Sequence, residues 1–130
     1  YVQYGIPLDS VPNGRDMLMY EVNLRAFSTS GDLQGVLSRI DELDSLGINT
    51  IWLMPIHPIG TINSVNSPYS VKDFKAVGEE FGSLSDLRQL TDAAHARGMS
   101  VIMDWVANHT AWDNQMAVDH PRNHAPSSAC

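Results

Sequence analysis

Apolar residues recur along this chain in two different periods. Leu33, Val36, Leu37, Ile40, Leu43 and Leu46 fall at steps of three and four. That is the stripe of a helix packed on one side, so a helix is predicted over 33–46. Gly47 follows and suits a left-handed helix terminus. A second stripe holds Leu87, Leu90 and Ala94. Ser83 stands ahead of it as an N-cap, with Asp86 three positions on as a weak capping box, and Gly98 closes it. The other apolar residues form runs. Residues 17–24, 48–54 and 99–103 read as strands; the second ends at Pro55 and the third delivers Asp104. The last two runs are near-continuous, which fits strands buried on both faces in a helix-covered parallel sheet.

The predicted order is β-α-β-α-β. Both helix-to-strand joins, Leu46-Gly47-Ile48 and Arg97-Gly98-Met99, are short. The strand-to-helix side carries the long segments, and residues 55–82 show no clear period. A β/α barrel has this asymmetry, because its sites are built from the loops that follow the strands. The fold class read from the pattern is α/β, a partial TIM-type (β/α)8 barrel of about three βα units. A doubly wound open sheet gives a similar pattern over this much chain. Residues 1–16, with Gly5, Pro7, Pro12 and Gly14 as breakers, read as an irregular lead-in.

Composition narrows the partners. The chain has 130 residues, 43% of them hydrophobic, which is enough for a core and argues against disorder. Lys and Arg total 8 against 15 Asp and Glu, a net charge of −7. A phosphate backbone would be repelled, so no nucleic acid partner is expected. No run approaches the roughly 18 apolar residues of a membrane span, so no membrane partner is expected either. Cys130 is the one cysteine and cannot form an internal disulfide. The N-terminus lacks both a starting Met and a basic-then-apolar leader. A leader already removed would leave the same chain, so localisation stays open, with a secreted or periplasmic parent compatible.

Candidate chemistry gathers where the third strand ends, at Asp104-Trp105-Val106-Ala107-Asn108-His109-Thr110. Polar groups at such an edge are held by the scaffold and point into the mouth of the sheet. Asp104 accepts hydrogen bonds, His109 can donate to a hydroxyl-rich ligand, and the Asn108 carbonyl oxygen suits a hard cation. A strand-end turn with local side-chain-to-backbone bonds is the plain alternative.

Asp104-x-x-x-Asn108-His109 after an apolar strand resembles the first signature region of the α-amylase family of glycoside hydrolases. Other stretches agree in order. Met19-Tyr20-Glu21-Val22 through Phe27 is similar to that family's first strand. Leu46 through Pro55 resembles its first-helix-to-second-strand junction, and Ser67 through Phe74 the loop before its second helix. The resemblance covers about residues 17–115 and gives a domain reading of 17–121 for the N-terminal part of an α-amylase-type catalytic barrel. It implies that Tyr69 stacks on the sugar at the cleavage subsite, as an aromatic face packs on the apolar face of a pyranose. His109 would hydrogen-bond a hydroxyl of the same sugar. Asp104 would support the floor of the site, pairing with an arginine further along a complete chain. Asn108 would be a metal ligand in calcium-dependent members, so calcium is the implied cofactor. The implied substrate is an α-glucan or maltooligosaccharide.

Retaining glycosidases need two carboxyl groups roughly 5 Å apart. In the family these follow the fourth and fifth strands, and a third acidic residue follows the seventh. None maps onto this chain, so no catalytic residue is assigned and no hydrolysis is expected from it alone. The stretch Arg122-Asn123-His124-Ala125-Pro126-Ser127-Ser128-Ala129-Cys130 departs from the family and reads as an unrelated tail. A frameshift, a premature stop or an imposed boundary would each give that reading. Two unpaired sheet edges would recruit partners, so a homo-oligomer or aggregate is expected. A non-catalytic sugar-binding module and a self-assembling α/β module are the alternative functions.

Other residues carry lesser expectations. Asp73 is expected to make a structural hydrogen bond near the site, and Trp52 to pack within the barrel. His57 either lines the cleft or stands on an exposed loop. His95 is expected at the surface, and Glu21 and Arg25 as structural.

Overall fold

Three short parallel strands organise the chain. The computed structural model describes residues 5–119. The tail from Arg122, with Cys130, lies outside the described residues. Strand β1 is Met19–Val22, β2 is Thr50–Leu53 and β3 is Ser100–Met103. They form one sheet in the order β1-β2-β3, with Val22 opposite Leu53 and Leu53 opposite Met103. Short helices α1 (Leu24–Phe27), α2 (Leu33–Leu37) and α3 (Ile40–Ser45) lie between β1 and β2. Helix α4 (Leu84–His95) joins β2 to β3, and α5 (Gln115–Asp119) follows the sheet. The β-α-β-α-β order and the α/β class hold.

The core lies on one side of the sheet. Val22, Ile51 and Leu53 pack against Leu33, Val36, Ile40 and Leu43 from α2 and α3, and against Leu90 and Ala94 from α4. Side chains alternate across a strand, so Glu21, Trp52 and Ile102 share the opposite row. Ile102 is 40% exposed there and Trp52 is half-buried and outside the core cluster. Burial on both faces therefore holds for β2, but not for β3, whose Ile102 and Met103 are exposed. The outer strands have a neighbour on one side only among the described residues.

The predicted first helix is two helices. Arg39, with φ −114° and ψ 15°, breaks it. Its guanidinium is drawn away from a regular helical path by three partners. It donates to the Phe27 carbonyl at 2.6 Å, lies 4.6 Å over the Phe27 ring and pairs with Glu42 at 2.7 Å. The apolar stripe survives the break, except that Leu46 is 64% exposed. The first strand is also shorter than the apolar run. Asn23 leaves the ladder and Leu24 turns inward as the start of α1.

Both helix-to-strand joins use one device. After α3, Ile48 N–H donates to Leu43 O and Gly47 N–H to Asp44 O; after α4, Met99 N–H donates to Ala94 O and Gly98 N–H to His95 O. These are the paired bonds of a Schellman terminus, which needs a left-handed residue. Gly47 has φ 78° and Gly98 φ 73°. At the start of α4, Ser83 Oγ accepts from Asp86 N–H while Asp86 accepts from Ser83 N–H, so the capping box is complete.

Nothing lies within 4 Å of a Cβ built on Gly98 or on Gly14, but only Gly98 has positive φ. Gly98→Ala should therefore cost about 1 kcal/mol from backbone strain alone, and Gly14→Ala almost nothing. Urea unfolding of both variants checks this; equal midpoints would contradict it.

Candidate functional site

Asp104 leaves the end of β3 with its amide still on the ladder, donating to Leu53 O at 2.9 Å. Its position is thereby set by the sheet. The half-buried carboxylate accepts a hydrogen bond from the Tyr69 hydroxyl at 3.0 Å. Tyr69 reaches it from the long 55–82 loop, where Tyr69 N–H donates to Ser67 Oγ at 3.3 Å. His109 Nε2 lies 3.1 Å from the Tyr69 carbonyl. A carbonyl only accepts, so Nε2 carries the proton. Nδ1 is then the acceptor for the Asn108 amide at 3.2 Å. Tyr69, Asp104, Asn108 and His109 are thus joined in one chain of contacts. The strand-end motif holds the last three together and the family resemblance adds Tyr69; in the fold Tyr69, 35 positions from Asp104, contacts two of them directly.

Two of these side chains have partners within the described residues. Asp104 takes the Tyr69 hydroxyl as its partner among the described residues. His109 has both ring nitrogens engaged, so a ligand hydroxyl would have to replace the Tyr69 carbonyl. The Tyr69 phenol is held above the ordinary tyrosine range. Burial is the leading cause, followed by its hydrogen bond to Asp104 and the negative charges of Asp104 and Glu21.

The other residues sort as support. Arg25 clamps Glu80 through two bonds of 2.7 Å, and its Nη1 donates to the Asn66 carbonyl at 2.9 Å, a structural role. Asp73 accepts from Lys75 N–H at 2.8 Å within its own turn. His57 is half-buried rather than exposed; it donates to the Ala76 carbonyl at 3.0 Å and meets the Phe74 ring edge-on at 5.7 Å. His95 is half-buried and contacts the Ile6 carbonyl, while Asp92 accepts from Ile6 N–H at 2.7 Å. The irregular lead-in is therefore tied to α4. Sequence reasoning passed over Thr61, Lys72 and Asp113, which join the two loops of the site. Their spacing follows no period that could have drawn attention to them.

Among the described residues, no three His, Cys, Asp or Glu side chains gather as a metal site. Asn108 brings one carbonyl oxygen toward the six to eight that calcium takes. The described residues do not make that site by themselves.

The raised phenol sets a pH dependence. A group whose folded pKa lies above its unfolded value, about 10 for tyrosine, stabilises the fold below that value. The contribution is lost as pH rises through the folded pKa. Asp104→Asn should lower the Tyr69 titration and weaken this alkaline loss. Carbon NMR of ring-labelled tyrosine measures it; an unmoved titration would contradict the contact.

Comparison with known proteins agrees with this geometry. A family model described as alpha amylase, catalytic domain, matches residues 10–129. The probable oligo-1,6-glucosidase 2 of Bacillus subtilis (strain 168) is 36% identical over 112 residues, covering 82% of this chain and 18% of that protein. The trehalose synthase/amylase TreS of Mycobacterium tuberculosis (strain ATCC 25618 / H37Rv) is 42% identical over 104 residues, covering 72% of this chain and 16% of that protein. A crystal structure of an α-amylase from Lactobacillus plantarum superimposes with a TM-score of 0.79 at 40% identity, over 82% of this chain and 26% of that one. The chain spans less than a fifth of the length of either curated relative. Its three parallel strands and their helices are part of an α/β barrel. Sequence, family match and shape converge, and this chain belongs to the α-amylase catalytic-domain family, glycoside hydrolase family 13.

Proposed function

We propose that this chain forms the substrate-contacting wall of an α-glucoside site in a retaining glycoside hydrolase, and that it breaks no bond alone. The observation that carries this reading is the joined set Tyr69–Asp104 at 3.0 Å and Tyr69–His109 at 3.1 Å. The hydroxyl bond fixes the Tyr69 side chain, so its ring can serve as a preorganised platform for a pyranose. His109 supplies an N–H that a sugar hydroxyl takes over from the Tyr69 carbonyl. Asp104 is the positioning carboxylate. Asn108 is the residue that would offer an oxygen to calcium, and no step depends on that metal.

The ligand is an α-glucan or maltooligosaccharide. Relatives named as oligo-1,6-glucosidases support the class. Cleavage with retention needs a nucleophile and a proton donor flanking the bond. Asp104 is committed to Tyr69, and no family carboxylate of either kind maps onto this chain. The two groups are therefore assigned outside these residues.

In a calorimetric titration with maltotriose, Tyr69→Ala should lose about 1 kcal/mol of binding, roughly a fivefold drop in affinity. His109→Ala should weaken it as well. No heat with the unaltered chain would contradict the reading, as would purification-stable release of reducing ends from maltodextrin.

We further propose that the chain alone self-associates through its outer strands, where Met19 is 39% and Met103 49% exposed. Sedimentation should show species heavier than 14.3 kDa; a monodisperse monomer at high concentration would refute this.

A further inference from the structure

Two loops meet beyond the ends of β2 and β3. One carries Tyr69 and the other His109. They are knitted together just beside those residues. Ala111 N–H donates to the Val71 carbonyl at 2.9 Å, and the buried Asn114 side-chain amide donates to the same oxygen at 3.2 Å. Ile59 and Val71 form an antiparallel bridge.

Asp113 sits at the centre of this knot. Its Oδ2 accepts from the Thr61 N–H at 3.1 Å and the Thr61 hydroxyl at 3.0 Å, and lies 3.2 Å from Lys72 Nζ. Its Oδ1 is sealed from solvent without a hydrogen-bond partner, and the side chain as a whole is 13% exposed. Removing a carboxylate oxygen from water is unfavourable, so the group needs strong donors to remain an anion. It has them. The Thr61 amide, then the Thr61 hydroxyl and Lys72, outweigh burial and bring its pKa down to about 2. A Cβ built on Gly60 would fall 2.4 Å from Ala111 Cβ and 2.5 Å from Oδ1, so it would press on the knot at both. The seat is thus closed on every side that these contacts describe. Such charge-assisted bonds are the strong ones, unlike an exposed ion pair.

We propose that Asp113 is a positioning residue: its carboxylate fixes the Tyr69-bearing loop against the His109-bearing loop. Lys72 lies three residues from Tyr69 and Asp113 four from His109. A shift at the knot is therefore passed to the site by a short length of chain. The effect on ligand binding rests on the sugar reading above; the effect on Tyr69 geometry does not.

The test uses the full chain and two readouts, the Tyr69 titration by carbon NMR and maltotriose affinity by calorimetry. Asp113→Ala should bring the Tyr69 phenol down toward the ordinary tyrosine range, because its hydroxyl loses its hold on Asp104. Affinity should fall about fivefold, as for loss of the Tyr69 platform itself. Gly60→Ala keeps Asp113 but wedges its seat, and should move both readouts the same way. Asp113→Asn keeps the shape and weakens the donors' grip, so it should fall between. The helical circular dichroism of the whole chain, to which α4 is the longest contributor, should stay constant, which separates a local release from general unfolding. If Asp113→Ala does not fold, Lys72→Met and Thr61→Val each remove part of the clamp, and each should give a smaller shift in the same direction. Unchanged Tyr69 titration in every folded variant would overturn the proposal. A moved titration in a chain that takes up no maltotriose would uphold the clamp and sink the sugar reading instead.

Discussion

Parallel pairing forces every strand in this sheet to end at the same edge. Val22, Leu53 and Met103 stand in register, so the residues after them leave the sheet together. That constraint makes neighbours of segments far apart in sequence. Asp104 keeps its amide on the ladder with Leu53 O, which places its backbone as firmly as the strand itself, and the Tyr69 hydroxyl orients its carboxylate. Tyr69 then needs one hydroxyl bond to be placed in turn, and His109 one carbonyl. The site is a short sequence of contacts anchored on a backbone hydrogen bond.

Below that edge, stability and function are separated. The apolar stripe of α2, α3 and α4 covers one side of the sheet with Leu33, Val36, Ile40, Leu90 and their neighbours. The loops at the edge bury Ile56, Val71, Val106 and Ala111 beneath them and are tied to each other by polar contacts. Such contacts are worth little net in water, but leaving a buried member unpaired is costly. This asymmetry suits a site whose geometry must be fixed while its surface stays open to a polar ligand. The row of Glu21, Trp52 and Ile102 faces away from the helices, where a closed barrel has its packed interior.

The legible parts of this chain were the local ones. The Ser83–Asp86 box and the Gly47 and Gly98 termini are written within a few residues, and all three are present. The strands were visible as apolar runs, though their ends were trimmed by bonds that no run length reports. The break at Arg39 was hidden because its cause is the Phe27 carbonyl and ring, twelve positions earlier. The cluster at Asp104, Asn108 and His109 was readable as a strand end rich in polar groups, and the family resemblance added Tyr69. The Asp113–Thr61 pair spans 52 positions. Its members are common loop residues with no spacing rule, so only the folded chain brings them into view. His57 and His95 illustrate the same limit, because each finds its backbone partner through the tertiary fold.

The most direct measurement of the central idea is a maltotriose titration followed by NMR of the Tyr69 ring and His109 imidazole in the unaltered chain. Saturable shifts are expected at both side chains, larger than those at His57 or His95, with the His109 Nε2 proton changing as its acceptor passes from the Tyr69 carbonyl to the sugar. Shifts centred elsewhere, or none at saturating sugar, would contradict it.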